Sequence, residues 1–250
     1  MQKSLGRRLA ASTTALRAAV PVALGALLLV IPAAADAARV TVRVEGATKT
    51  LVPATTITTP AKPVGLPGKP TCPGATGLGA LDAATHGNWS GTYSQGFMGY
   101  LVDTITGEKH GGSPDFYSFW TNLREASVGV CGYHPRDGAQ ILFFVSRFPS
   151  KKPIEPLELR APKTVRVGRT FTVVVRKWSA KGVPSRVAGA TVSVGRSRLR
   201  TNRQGFVRIT VGERRATGSA GPLRLRATAP GLVRSETDTV RVLRQGDVSR

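Results

Sequence analysis

The stretch YLVDTITGEKHGGSPDFYSFW, residues 100–120, can be read in two ways, and the choice decides the fold around it. Asp103, Glu108, His110 and Asp115 stand close together among glycines, as an acid–base pair or a ligand set on a loop would. The same letters also spell a β-hairpin. YLVDTIT and DFYSFW have the β-branched and aromatic content of strands. Between them EKHGGSP holds Gly111, Gly112 and Pro114, which supply positive or fixed φ to turns. In that reading Glu108, Lys109 and His110 occupy a solvated tip, and nothing pins Asp103 to Asp115. Catalytic carboxylates need a cleft and partners that set their separation and proton affinity. The hairpin is the stronger reading, and a hydrolase using Asp103, Glu108, His110 and Asp115 stays as an alternative.

Upstream, RVTVRVEG (residues 39–46) alternates like a strand with one buried face, and KTLVPATTITTP follows as a proline-limited edge strand. PAKPVGLPGKPTCPG is an irregular connection by composition. TGLGALDAATHG predicts a helix, with Thr76 as N-cap, Leu78, Leu81 and Ala84 on one face, and Gly87 at its end. GNWSGTYSQGFMG is expected as a loop. Its aromatics Trp89, Tyr93 and Phe97, with Tyr100, read first as a lid over the core and second as a stacking surface for a ligand, with His110 beside them. AQILFFVSRF is a last apolar strand. This order predicts a small α+β domain, a sheet with a helix laid on it, over residues 38–147.

FPSKKPIEP, residues 148–156, is a linker by composition. From residue 157 to 245 short alternating strands recur with Gly, Pro or Asn between them: PLELRAP, VRVGRTFTVVVRKW, GATVSV, RLRTNRQGFVRITV, GPLRLRATAPG and TDTVRVLR. No helical period interrupts them, so an all-β sandwich of the immunoglobulin-like kind is expected, with a tail at 246–250.

Charge divides the halves. Residues 38–150 hold 9 Lys and Arg against 7 Asp and Glu, whereas residues 151–250 hold 23 against 6, within a formal net charge of +22. An anionic partner therefore belongs to the second half. Arginines fall on alternate positions there, which puts Arg198 with Arg200 and Arg224 with Arg226 on shared strand faces. Arg208 joins them as a candidate anion contact, and Arg166, Arg176, Arg186, Arg214, Arg215 and Arg241 add positive surface. Aromatics are few among these arginines and no nucleic-acid-binding motif accompanies them, so a sequence-specific nucleic-acid reader is not expected.

At the amino terminus Lys3, Arg7, Arg8 and Arg17 precede the apolar run AAVPVALGALLLVIP, residues 18–32, and then AAADAA. That is the order of a secretory signal, with cleavage expected after Ala37. The run is shorter than the roughly 20 residues of a spanning helix, and no later stretch is long and apolar enough, so no membrane span is expected once the signal is removed. In an oxidising compartment the pair Cys72 and Cys131 is expected as a disulfide. No spacing of Cys or His suits a metal, no G-x-S-x-G elbow is present, and His86 and His134 read as loop residues. Neither a metal nor a cofactor is expected. NWS at residues 88–90 fits a glycosylation sequon, which matters only in a eukaryotic secretory route.

Several phrases resemble known families. VTVRVEG, GALDAAT, YLVDTITG and SFWTNLREASVGVCGYHPRDGAQILFF resemble a bacterial domain of unknown function related to the C-terminal domain of transcobalamin and intrinsic factor. The resemblance covers residues 39–147 and implies a β-grasp-like sheet-plus-helix domain. In the vertebrate relatives that domain covers one face of a bound cobalamin; no residue here is matched to a cobalamin contact. PLELRAPKTVRVGRTFTVVV, VAGATVSV, TNRQGFVRITV and LRATAPGLVRS resemble bacterial Ig-like or carboxypeptidase-regulatory-like modules, which implies a sandwich on an exported protein. The function expected from all this is a non-catalytic protein, secreted or held at the cell envelope, whose basic second domain associates with an anionic cell-wall or surface polymer. The alternative is capture of a small ligand (a corrinoid, sugar or peptide) by the first domain.

Overall fold

The computed structural model describes residues 37–112, 114–148, 153–212 and 222–244. The expected leader up to residue 36, residues 149–152 of the expected linker, Arg214 and Arg215, and the expected tail lie outside them. Strands dominate, and among the described residues there is one helix.

The first part builds on β1 (Arg39–Glu45), β2 (Thr50–Thr58), β6 (Asp115–Thr121), β7 (Arg124–Glu125) and β8 (Gln140–Arg147), ordered β2-β1-β8-β6-β7. β1 and β8 run parallel, and the other pairs are antiparallel. β2 is at the edge, as its proline requires. The helix α1 (Gly77–Thr85) packs its buried residues, Leu78 and Leu81 among them, with Val40, Val42, Val44, Ile141 and Phe143 in one core.

Thr76 caps the helix in extended conformation, its hydroxyl accepting from the Gly79 N–H at 3.4 Å. Two further N–H groups of the first turn donate to a distant loop, Gly77 to the Tyr133 carbonyl and Leu78 to the Val130 carbonyl, both at 2.9 Å. At the far end His86 and then Gly87 take positive φ and stop the helix. Gly77 and Gly79 weaken helix propensity but are required by packing. A Cβ at Gly79 would lie 1.8 Å from the Gly74 carbonyl oxygen.

Two expectations for this part are overturned. GNWSGTYSQGFMG is not a loop throughout, because Trp89–Ser94 forms β3, antiparallel to β4 (Gly99–Ile105). Nor do YLVDTIT and DFYSFW pair. β4 turns at Thr106 and Gly107, both at positive φ, into the short β5 (Glu108–Lys109), whereas β6 pairs with β8 from Asp115↔Arg147 to Thr121↔Ile141. The physical reason lies in β8. Ile141 and Phe143 face the helix side while Leu142 and Phe144 belong to a second apolar cluster, so β8 is buried on both faces and takes a central position between β1 and β6.

The second part has β9 (Glu155–Arg160), β10 (Thr164–Arg166), β11 (Thr170–Trp178), β12 (Pro184–Arg186), β13 (Thr191–Val194), β14 (Ser197–Arg200), β15 (Phe206–Thr210), β16 (Leu223–Thr228), β17 (Leu232–Val233) and β18 (Asp238–Leu243). One sheet is ordered β10-β18-β16-β13-β14; the other is β12-β11-β9-β17 with β15 on β11. Both send alternate residues into a shared core that includes Leu157, Val173, Val175, Val192, Leu225 and Val240. The architecture is of sandwich type.

Two apolar runs expected as continuous strands are each divided between the sheets. VRVGRTFTVVVRKW breaks at Gly168, with φ +79°, into β10 and β11. RLRTNRQGFVRITV breaks at Asn202, whose side-chain carbonyl accepts from the Gln204 and Phe206 N–H groups, into β14 and β15.

The two parts touch. Trp120, Leu142 and Phe144 pack with Val233 of the second part, flanked by Ile154, Trp178 and Ala180. β1 was expected to bury one face; Arg43 and Glu45, on its other face, are buried as well, because the second part covers them.

Candidate functional site

Since β4 folds back on β5 and leaves β6 to β8, a groove of about 770 Å³ opens between β4 and β6. Buried Tyr117 and Phe143 line it, and exposed Leu101, Val128 and Phe148 flank it. Its wall near residues 128–130 is held by the Cys72–Cys131 disulfide, with Cα atoms 5.4 Å apart, and by the helix N–H groups bonded to Val130 and Tyr133. The expected disulfide is present.

The polar end of the groove departs from the expected solvated tip. Glu108 and His110 side chains are 21% and 15% exposed, and His110 Nε2 lies 2.9 Å from Glu108 Oε1. The His110 ring meets the Tyr117 ring edge-on at 5.5 Å, and the Tyr117 hydroxyl donates to the Glu108 carbonyl at 2.9 Å. Glu108 Oε1 also accepts from the Ala47 N–H at 2.6 Å. That approach needs Gly46, where a Cβ would come within 2.5 Å of the Glu108 carboxylate. Burial, with Glu108 adding to it, raises the Tyr117 phenol well above its ordinary range.

The other carboxylates of this stretch are committed elsewhere. Asp103 Oδ1 accepts from Ser90 Oγ at 2.9 Å and Thr104 Oγ1 at 2.7 Å. Asp115 accepts from Arg147 Nε at 2.9 Å, and that bond holds its carboxyl below its ordinary value. Of the four candidates only Glu108 and His110 come together, and among the described residues the one further titratable side chain that bonds to the pair is Tyr117, through the Glu108 backbone carbonyl. Among the described residues no three His, Cys, Asp or Glu form a group that could hold a metal ion.

The aromatic candidates separate. Trp89 and Tyr100 are buried, Tyr93 is half-buried, and all three rings meet edge to face around Tyr100. Trp89 Nε1 donates to Asp82 at 2.8 Å, and the Tyr100 hydroxyl donates to the Pro70 carbonyl at 2.7 Å while accepting from the Leu66 N–H. Phe97 is 74% exposed. Tyr100 and His110 line the groove; Trp89, Tyr93 and Phe97 are not among its lining residues.

The arginine candidates fall into three settings. In the β10-β18-β16-β13-β14 sheet the register places Arg198 opposite Ser193, Ser193 opposite Arg226, Arg200 opposite Thr191 and Arg224 opposite Thr239. Arg241 stands opposite Thr164, and Arg166 follows two residues on. Cross-strand partners share a face. With Arg226 set apart by its own contacts, Arg166, Arg198, Arg200, Arg224 and Arg241, interleaved with Thr and Ser, therefore lie on one outward face. None of the residues at its paired strand positions is acidic. Arg166, Arg198, Arg200, Arg224 and Arg241 are exposed. Arg208, opposite Thr172, lies on the other sheet and does not join them.

Arg226 is the third case and a correction, because it is not available at a solvent face. It reaches across to Glu45, which is 1% exposed, at 3.0 Å, and also contacts Thr50. Arg234 Nε approaches the same carboxylate at 2.5 Å and bonds the Gly46, Thr48 and Lys49 carbonyls, and Arg43 lies 3.3 Å from it. Burial lowers the proton affinity of Arg43; Glu45 and Glu236 oppose that shift, and Arg226 and Arg234 reinforce it. Sequence reasoning missed this cluster. No linear spacing links residue 45 to residues 226 and 234, and the one available signal was the charged Arg39, Arg43 and Glu45 on the face of β1 opposite its three valines.

No protein-family model matches the chain, and no curated protein is similar to it.

Proposed function

We propose that this is a non-catalytic exported protein that associates with a linear anionic polymer of the cell envelope through the arginine face of its second part. The observation that carries the proposal is the acid-free row of Arg166, Arg198, Arg200, Arg224 and Arg241, separated by Thr and Ser across five strands. Guanidinium groups fork onto phosphate or carboxylate oxygens, and neighbouring hydroxyls add donors. A flat face about five strands wide, with strands some 4.8 Å apart, presents its charges to an extended polyanion rather than to one small anion. In this reading the second part is an Ig-like module and the first a β-grasp-like domain of the transcobalamin-tail kind. A non-catalytic role is supported by the separate commitments of Asp103, Glu108 and Asp115.

The test is binding of the chain beginning at Ala38 to washed cell walls and to long-chain polyphosphate over a range of salt. Binding should weaken steeply with salt, and Arg198→Ser, Arg200→Ser and Arg224→Ser together should reduce the slope of log affinity on log salt by roughly 2 to 3. No retention at low salt, or an unchanged slope in the triple variant, would overturn the proposal.

A further inference from the structure

The groove between β4 and β6 is bordered by backbone that no strand among the described residues takes up. β6 pairs with β8 along its length, but on its other side β7 covers Trp120 and Thr121 alone, with the Phe119 carbonyl accepting from the Ala126 N–H at 3.1 Å. Backbone N–H and C=O groups along an antiparallel strand alternate from side to side. Phe119 therefore turns its polar groups away from β8, and Tyr117 and Asp115, at the same phase, do so too. On the opposite wall β4 pairs with β3, whereas β5 covers it at Thr104 and Ile105. From residue 99 to 102 no strand among the described residues covers its second side. Open edges of this kind are templates for an added strand.

The side chains between the two edges say what that strand would carry. Phe119, Val130 and Phe143 line the groove and Leu101, Val128 and Phe148 flank it, so alternate apolar side chains of a guest would be covered. Besides the phenols of Tyr100 and Tyr117, the titratable residues lining it are Asp103, Glu125 and His110, with no Lys or Arg, in a chain of formal net charge +22. The part that carries the groove is close to neutral. Screening confines the field of the distant arginines to about 8 Å at physiological ionic strength, so the local carboxylates decide which charge is favoured at the rim.

We propose that this groove binds an extended peptide as an added strand, apolar at alternate positions and flanked by Lys or Arg. The guest's main chain bonds the open edges of β6 at Tyr117 and of β4, and its cations approach Glu125 and Asp103. The arginine face has no part in this interaction, so either proposal can fail without the other.

A fluorescent synthetic peptide of roughly eight residues, the length of an ordinary strand, tests it: valine alternating with threonine, lysine at each end. Titrated with the chain beginning at Ala38, it should give a saturable rise in anisotropy and slow hydrogen exchange at the Tyr117 amide. N-methylation at alternate residues, which removes edge-bonding donors, should abolish binding. Glu125→Lys, at an exposed position, should leave the thermal midpoint unchanged and weaken the lysine-ended peptide about tenfold. The same variant should favour a glutamate-ended counterpart.

Four outcomes overturn the proposal. They are absence of saturation at millimolar peptide, equal binding of the N-methylated analogue, a dimer in sedimentation whose Tyr117 amide is protected without peptide, and displacement of the peptide by cyanocobalamin at lower concentration.

Discussion

Tyr117 shows how one side chain joins three features of the groove: its ring closes against His110, its hydroxyl bonds the Glu108 carbonyl, and its backbone lies on the open edge of β6. Its raised proton affinity has a consequence for stability. Below its ordinary value of 10 the phenol is protonated in folded and unfolded chains alike and adds no pH dependence. Above that value the unfolded chain loses the proton first, the folded chain binds more protons, and stability falls as pH rises. The urea midpoint of the wild type should therefore fall more steeply above about pH 10 than that of Tyr117→Phe. Parallel curves would mean that the phenol is solvated. Of the residues involved, sequence alone singled out His110 and Glu108 as notable and placed both in water. Glu108 is half-buried against Gly46 and Ala47 of another turn and His110 against Tyr117 of another strand, which no local pattern reveals.

Single elements were legible where their own residues decide them. The helix followed from Thr76, the spacing of Leu78 and Leu81, and Gly87, and β1, β2, β6 and β8 followed from alternation or apolar content. β3 was not, because WSGTYS has small, polar and glycine positions that resemble a loop. It becomes a strand by pairing with β4, and Gly91 permits a close pass in which a Cβ would lie 2.4 Å from the Leu101 carbonyl oxygen. The segment ending in Cys131 likewise depends on a distant element, being tied to Cys72 and to the start of the helix. Removing the tie across 59 residues should cost about 4 kcal/mol on the chain-entropy account, less any native strain. Urea unfolding of Cys72→Ala/Cys131→Ala measures this loss. A variant as stable as the wild type would show that the helix contacts alone hold the segment.

At the scale of the molecule, the two parts share one buried carboxylate. Glu45 is surrounded by Arg43 from its own strand and by Arg226 and Arg234 from the second part, beside the apolar contact of Trp120, Leu142 and Phe144 with Val233. Glu45→Ala would leave three guanidinium groups facing one another without the carboxylate that bonds all three. Removing one partner of a buried ionic cluster typically costs about 3–5 kcal/mol. The wild type should unfold in one transition and the variant in two, monitored by Trp120 and Trp178 fluorescence and by calorimetry. A change within the surface range of about 0.5 kcal/mol and a single transition would show that Glu45 does not couple the parts.

By itself the sequence determined the kinds of element and the division of charge, because period-2 alternation, turn residues, a cap and a pair of cysteines act over a few neighbours or through chemistry that position does not alter. Tertiary structure decided which strands pair, which arginines stay in solvent, and that a groove lies where a hairpin was expected. Those outcomes depend on competition between distant partners. β6 went to β8 because β8 is apolar on both faces, and Arg226 went to Glu45 because a buried carboxylate attracts a guanidinium far more strongly than water screens it at a surface.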